Sequence, residues 1–327
     1  SGTPKADIIW VVDESGSMND NRLDVANNAK NFFSRAVASG LDFRMAVTNV
    51  CETNDPGYGR FCSKVYPFNS NGELVNSADQ KDLGGDDRFL LPNEQDRFES
   101  CVKNPPSFEG GSEYGMHNAY KAVEKHLPRK ANDPTKIRPD AALVIIVATD
   151  ELPASLFNPF DPFMMLAMKN DCVLNPQHQD FILKNLYKNH LAMWQGKTHN
   201  GEGKAVLHVI GGVCGNSCSA DIAHGYMEVS QALGGTVADV CQKDLGQSLQ
   251  LIIDAIAGVA SQAILEYVPM SASLAVAVGP TELSRSRVNG FDYNSASNSL
   301  VFYNVAIKKG DQVAASYRRW VAQEAIQ

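Results

Sequence analysis

Five apolar runs constrain this chain more than any other feature: DIIWVV (7–12), FRMAVTNV (43–50), AALVIIVAT (141–149), AVLHVIGGV (205–213) and, more weakly, GTVADV (235–240). They are continuous, not alternating, so each strand needs apolar cover on both faces; this predicts a mostly parallel sheet with helices on either side. Helical stripes lie between the runs. Leu23, Ala26, Ala29, Phe33, Ala36 and Val37 form one, Met116, Ala119, Tyr120, Val123 and Leu127 another, and Leu249 through Leu265 a third that ends before Pro269. Strand and helix alternate over most of the chain, which predicts an α/β, doubly wound, Rossmann-like fold.

After Pro269 the pattern changes to short segments, SLAVAVG, SRVNGFDYN, SLVFYNV and DQVAASYRRW, separated by GP, NG, SASN and KKGD. Such punctuation predicts antiparallel strands. The expected organisation is a main domain over 5–267, with insertions at about 51–108 and 152–180, and a small antiparallel, β-sandwich-like extension over 268–327 packed on it.

Of the 327 residues, 44% are hydrophobic and 20% charged, and the formal charge is −8, a balance that suits a folded chain and opposes nucleic acid or an anionic membrane as partner. No apolar run is long and clean enough to be a transmembrane segment. The opening SGTPKAD reads as a processed or constructed terminus, compatible with a removed signal sequence or lipid anchor. Seven cysteines lack CxxC pairing; disulfides tying surface loops, with one free thiol, are the first expectation, ahead of unpaired buried cysteines or zinc held by Cys51, Cys62, Cys214 and Cys218. That favours an exported protein, whether secreted, periplasmic or at the cell surface.

Directly after the first run comes DESGSM, which sets Asp13, Ser15 and Ser17 at alternate positions. One reading is a turn and N-cap for the following helix. The other is one edge of a metal site, because alternation can aim three oxygens at one point and Mg²⁺ accepts a carboxylate, hydroxyls and waters. Further ligands would come from other loops at the same edge. Asp150 and Glu151 follow AALVIIVAT at once, and Ser112 and Glu113 precede a helix, where ordinary capping and first-turn roles are the stronger explanation of them.

IIWVVDESGSM resembles the DxSxS motif of the von Willebrand factor A family, and VIIVATDE is similar to that family's strand ending in a ligating Asp, here Asp150. The resemblance implies a metal-ion-dependent adhesion site formed by Asp13, Ser15, Ser17, Asp150 and a fourth residue. The family's threonine is missing from FEGGSEYGMHNAY, leaving Ser112, or Glu113 as the alternative. It further implies bound Mg²⁺ (or Mn²⁺ or Ca²⁺) and a protein or surface ligand that presents an Asp or Glu carboxylate to the cation. The loop cysteines and the ending are similar to exported bacterial members of the family with a small β extension. Phe157, Phe160 and Phe163, beside Met164 and Met165, are expected either to bury as a lid or to form the partner-binding rim.

Enzymatic readings are weaker. Ser15 lacks the flanking glycines of GxSxG, and no HExxH or HxxxH pair occurs. IGGVCGN has neither the lysine of a phosphate loop nor GxGxxG. His208 is expected in the core or at a strand edge, with His117, His126 and His224 on helix surfaces. A non-enzymatic adhesion module is therefore the expectation, with a metal-dependent hydrolase and a metal-independent assembly module as alternatives.

Overall fold

The computed structural model describes residues 5–50, 58–62, 64, 86–105, 113–154, 168–169, 171–186, 205–260, 265–286, 289–294, 299–303, 305 and 311–319. The five apolar runs form one parallel sheet: β1 Lys5–Val12, β2 Asp42–Thr48, β3 Ala142–Ala148, β4 Val206–Gly211 and β5 Val237–Asp239, in the order β2-β1-β3-β4-β5. Six α-helices among the described residues accompany it: α1 Asn19–Ala38, α2 Gln95–Lys103, α3 Gly115–Lys125, α4 Pro176–Leu186, α5 Tyr226–Ala232 and α6 Gly246–Ala260.

The continuous apolar runs divide by pleat. Ile8, Trp10 and Val12 of β1, with Val144, Ile146 and Ala148 of β3, face α1, α2 and α6 in one core. Ile9 and Val11, with Leu143, Ile145 and Val147, face α3, α4 and α5 in the other. Each strand residue thus meets a helix whichever way it points, and this is why polar alternation is missing from the sequence.

The aromatic contacts of the first core explain one helix that the apolar periodicity did not announce. Phe98 of α2 lies 5.6 Å from Trp10 edge-on and 5.5 Å from Phe33. Trp10 also meets Phe32 at 5.2 Å, so α1 turns Phe32 inward, while Val37 at the end of the expected stripe is 50% exposed. His126, expected on a surface, is buried; it stacks on Phe61 at 3.7 Å and its Nε2 lies 3.3 Å from Asp87 Oδ1. His208 is a core residue of β4 as expected, with burial holding it down to about 3.

Beyond residue 270 the strands are antiparallel. β6 Ala275–Val278 pairs with both β10 Val313–Ser316 and β7 Thr281–Leu283, and β8 Gly290–Asn294 pairs with β9 Ser299–Tyr303. Gly279, at φ +56°, makes the tight β6–β7 turn in a conformation that side chains rarely adopt. Leu265, Val276, Phe291, Leu300 and Phe302 form a separate small core, and β9 lies against α6.

At the amino edge of the main sheet, Asp7 is fully buried between two arginines. Arg44 donates to both its carboxylate oxygens at 3.0 and 2.7 Å, Arg138 Nε donates at 2.9 Å, and the Arg138 backbone N–H adds a bond of 2.7 Å. Arg138 continues to Asp42 at 2.7 Å. The group joins β1, β2 and the turn before β3. Removing one partner of such a buried group leaves the others charged in low dielectric. Asp7→Ala is therefore expected to lower unfolding free energy by about 3–5 kcal/mol, measured by urea denaturation, whereas exposed Lys184→Ala should leave the midpoint nearly unchanged.

Candidate functional site

The chain winds from β1 out to β2 and then returns to place β3 on the other side of β1. The loops after β1 and β3 therefore diverge at a topological switch point, which is where ligands bind in open α/β sheets. Val12 is level with Ala148, and the Asp13 N–H donates to Ala148 O at 2.9 Å. The apolar runs stop at one height, so the first polar residues of both loops share a small volume.

Asp13 is fully buried there. Its Oδ1 accepts the Ser15 N–H at 2.8 Å and its Oδ2 accepts the Thr149 hydroxyl at 2.7 Å. Ser15 Oγ and Ser17 Oγ are hydrogen-bonded at 2.8 Å, and Ser17 Oγ donates to Asp150 Oδ1 at 3.2 Å. The capping residue of α1 is Met18, with no side-chain bond at that cap. The polar comb thus does not cap the helix; it joins the β1 loop to the β3 loop.

Other elements close around this pair. Glu14 Oε2 accepts the Val50 N–H at 3.1 Å, fastening the β1 loop to the end of β2. Asp150 O accepts the Asp221 N–H at 2.8 Å, fastening the loop after β4. Asp221 pairs with Lys169 at 3.1 Å. Glu113 enters from the segment before α3, buried, and its carbonyl accepts the Ala154 N–H at 2.8 Å. Behind it Tyr226 is fully buried against Gly115, where a Cβ would run into the phenol oxygen, so α3 must begin with glycine.

The electrostatics follow from crowding carboxylates out of water. Burial raises Asp13 above its ordinary value against the bonds from Thr149 and Ser15. Burial, then Asp13 and Glu151, push Asp150 up to about 6 against the Ser17 bond. Burial holds Glu113 well above the ordinary carboxylate range, reinforced by its hydrogen bond with Glu151 and by Asp13, so Glu113 keeps its proton and donates it to Glu151. Burial lowers Arg22 of α1, while Asp13 and Glu14 draw it back up.

The expected ligand set therefore meets in part: Asp13, Ser15, Ser17, Asp150 and Glu113 come together, while Ser112 lies outside the described residues, as do Phe157, Phe160, Phe163, Met164 and Met165. The expectation of Mg²⁺, Mn²⁺ or Ca²⁺ is corrected. Among the described residues no group of three or more His, Cys, Asp or Glu side chains could hold a metal ion. The physical reason lies in the bonds just given. Asp13 gives its oxygens to Thr149 and Ser15, the two serines bond each other and Asp150, and Glu113 bonds Glu151, so these oxygens are engaged by protein donors in place of a cation.

Sequence reasoning missed Thr149, Glu14 and Tyr226. Thr149 sits in the quoted AALVIIVAT and Glu14 within DESGSM, but Tyr226 has no signal before the fold brings α5 behind α3. His224, expected on a helix surface, is buried, its Nε2 2.8 Å from Asp171 O and its Nδ1 3.3 Å from Glu228.

Neither a family model nor a curated protein matches the sequence. Solved structures do. The pilus adhesin SpaC of Lactobacillus rhamnosus GG is 12% identical over 97% of this chain and 39% of its own, with a TM-score of 0.41. Proximal thread matrix protein 1 of the mussel byssus is 13% identical over 77% of this chain and 48% of its own, at TM-score 0.38. The human COPII-coat protein Sec24c is 12% identical over 98% of this chain and 40% of its own, at TM-score 0.35. The chain spans less than half the length of each of these proteins, and likenesses this distant carry no argument about its function.

The raised Asp150 value has a stability consequence. Between its ordinary value of 3.8 and about 6 the folded state holds the proton more tightly than the unfolded state, so stability falls as pH rises through that window and stays lower at neutrality. Asp150→Asn removes the charge and keeps an acceptor for Ser17. Its Tm should exceed that of the native chain by about 2–4 °C at neutral pH, with the gap closing near pH 4, as read by calorimetry.

Proposed function

We propose that this chain is an exported protein- or surface-binding module of the adhesive kind, which receives a basic side chain of its partner at the acidic edge formed by Asp13, Glu113, Asp150 and Glu151. The observation that supports this most is the crowding of Asp150 and Glu113, both withdrawn from water, against Asp13 and Glu151, which raises both carboxyls above their ordinary values. An ammonium or guanidinium set against Asp150 and Glu151 would relieve that repulsion and favour the ionised forms. The resemblance of DESGSM and VIIVATDE to the von Willebrand factor A family belongs to the same reading, since it puts the binding edge at the same two loops.

A partner carboxylate, as first expected, needs a cation between it and Asp13. Without one, like charges oppose it, and the preferred sign of the partner reverses. The serine hydroxyls engage each other and Asp150, an arrangement suited to holding a shape and not to activating a nucleophile. Three disulfides support an oxidising compartment, and no helix among the described residues is long and apolar enough to cross a membrane. In this reading residues 5–267 form the binding domain, the segment 152–180 with its phenylalanines shapes the rim, and 268–327 is an extension that seats the domain on a larger assembly.

The test uses immobilised peptides that differ only in bearing Lys and Arg or Asp and Glu. Binding to the basic peptide should persist in excess chelator, weaken with added salt, and fall by about tenfold or more in Asp150→Asn/Glu151→Gln. Preference for the acidic peptide, or loss of binding on chelation, overturns the reading. Association that ignores both salt and these substitutions would instead favour a purely structural assembly module.

A further inference from the structure

The three disulfides differ sharply in their access to solvent. Cys62–Cys101 is fully buried, both residues at 0% exposure. Cys218–Cys241 is partly buried against the first core. Cys172–Cys214 is exposed at both ends. Cys172 also lines two neighbouring cavities, one of about 370 Å³ with Leu174, Ile182 and Glu228, the other of about 460 Å³ with Lys169 and Asp221, which Cys218 also reaches. Exchange between thiols and disulfides depends on in-line access to one sulfur and on a leaving thiolate that water can solvate. Of the three described bonds, this is the one in which both cysteines are exposed.

We propose that Cys172–Cys214 is a thiol-exchange site that forms mixed disulfides with an incoming thiol. The incoming thiolate forms a bond to Cys172 Sγ from the cavity side as the Cys172–Cys214 bond breaks. The electron pair leaves with Cys214 Sγ, which takes up the proton lost by the incoming thiol. Attack by the freed Cys214 on the mixed bond reverses the step, so no external oxidant or reductant is consumed.

The fold permits this opening. The loop after β4 that carries Cys214 remains held by Cys218–Cys241, by the Asp221 N–H to Asp150 O bond at 2.8 Å and by the Ile222 N–H to Lys169 O bond at 2.8 Å. The bond therefore joins two segments that other contacts already keep together, and its exchange is separable from unfolding. The inference is independent of which partner the acidic edge binds.

The experiment treats the intact chain, without denaturant, with reduced glutathione in one arm and with a folded protein bearing a single surface cysteine in the other. Free thiols are then blocked and mapped by mass spectrometry. Cys172 and Cys214 should become reactive at least about tenfold faster than Cys218 and Cys241, with the adduct on Cys172 and with Cys62 and Cys101 unreactive until unfolding. Reaction in both arms identifies a surface exchange site open to protein thiols; reaction with glutathione alone identifies a small-thiol site. Equal rates for the three bonds, resistance of Cys172–Cys214, or an adduct confined to Cys214 overturns the proposal. The double variant Cys172→Ser/Cys214→Ser should lose the adduct and keep the chelator-resistant peptide binding of the native chain; an undiminished adduct overturns the assignment.

Discussion

The architecture depends on β1 being buried from both sides. Ile8, Trp10 and Val12 are at 0% exposure on one face, and Ile9 and Val11 are at 0% on the other. Complete burial of side chains of this size contributes about 1.5–3 kcal/mol each, so no rotation or one-residue slip of β1 is tolerated. With β1 fixed inside the sheet, β2 and β3 can add only on its two edges. The polar residue that follows each of them is then carried to the same end of the sheet.

That burial also gives the acidic edge its chemistry. Asp13 sits one residue past Val12, still fully enclosed, and it stays there because Thr149 and the Ser15 N–H occupy its oxygens. Asp150 and Glu113 have fewer compensating bonds, so burial raises Asp150 to about 6 and holds Glu113 well above the ordinary carboxylate range. Charge repulsion stored at one edge of a sheet lowers stability locally, a cost borne by the apolar core beneath it and a common mark of binding sites. The opposite edge has the reverse design: Asp7 is matched by Arg44 and Arg138, with every oxygen bonded and charges balanced. One edge is neutralised and serves cohesion, while the other is left acidic.

What the sequence disclosed follows from the range of each interaction. The strands were legible because continuous apolar runs are local, and Asp13 and Asp150 were legible because charge appears where those runs stop. α2, α4 and α5 were not foreseen: QDRFESCVK has Phe98 and Val102 at helical spacing but lies within a long polar interval. His126 and His224 read as surface residues because their cover comes from distant segments, Phe61 in one case and the Asp171 carbonyl in the other. The metal expectation failed for a related reason. The spacing Asp, Ser, Ser fixes which residues approach one another, but not which partners engage them, and Thr149 and Glu151 act from the end of the neighbouring strand β3.

The disulfides have a common logic. Cys62–Cys101 joins the segment after β2 to α2, Cys172–Cys214 joins the segment after β3 to the loop after β4, and Cys218–Cys241 joins that loop to the segment after β5. All three therefore staple connections that follow strands, the same side of the sheet as the acidic edge. Covalent links there supplement the apolar burial that holds the helices. The staples grow more exposed from the β2 side toward the β3 and β4 loops. The most buried link thus lies beside the aromatic core of α1 and α2, and the most accessible one lies where the loops flanking Asp150 meet solvent.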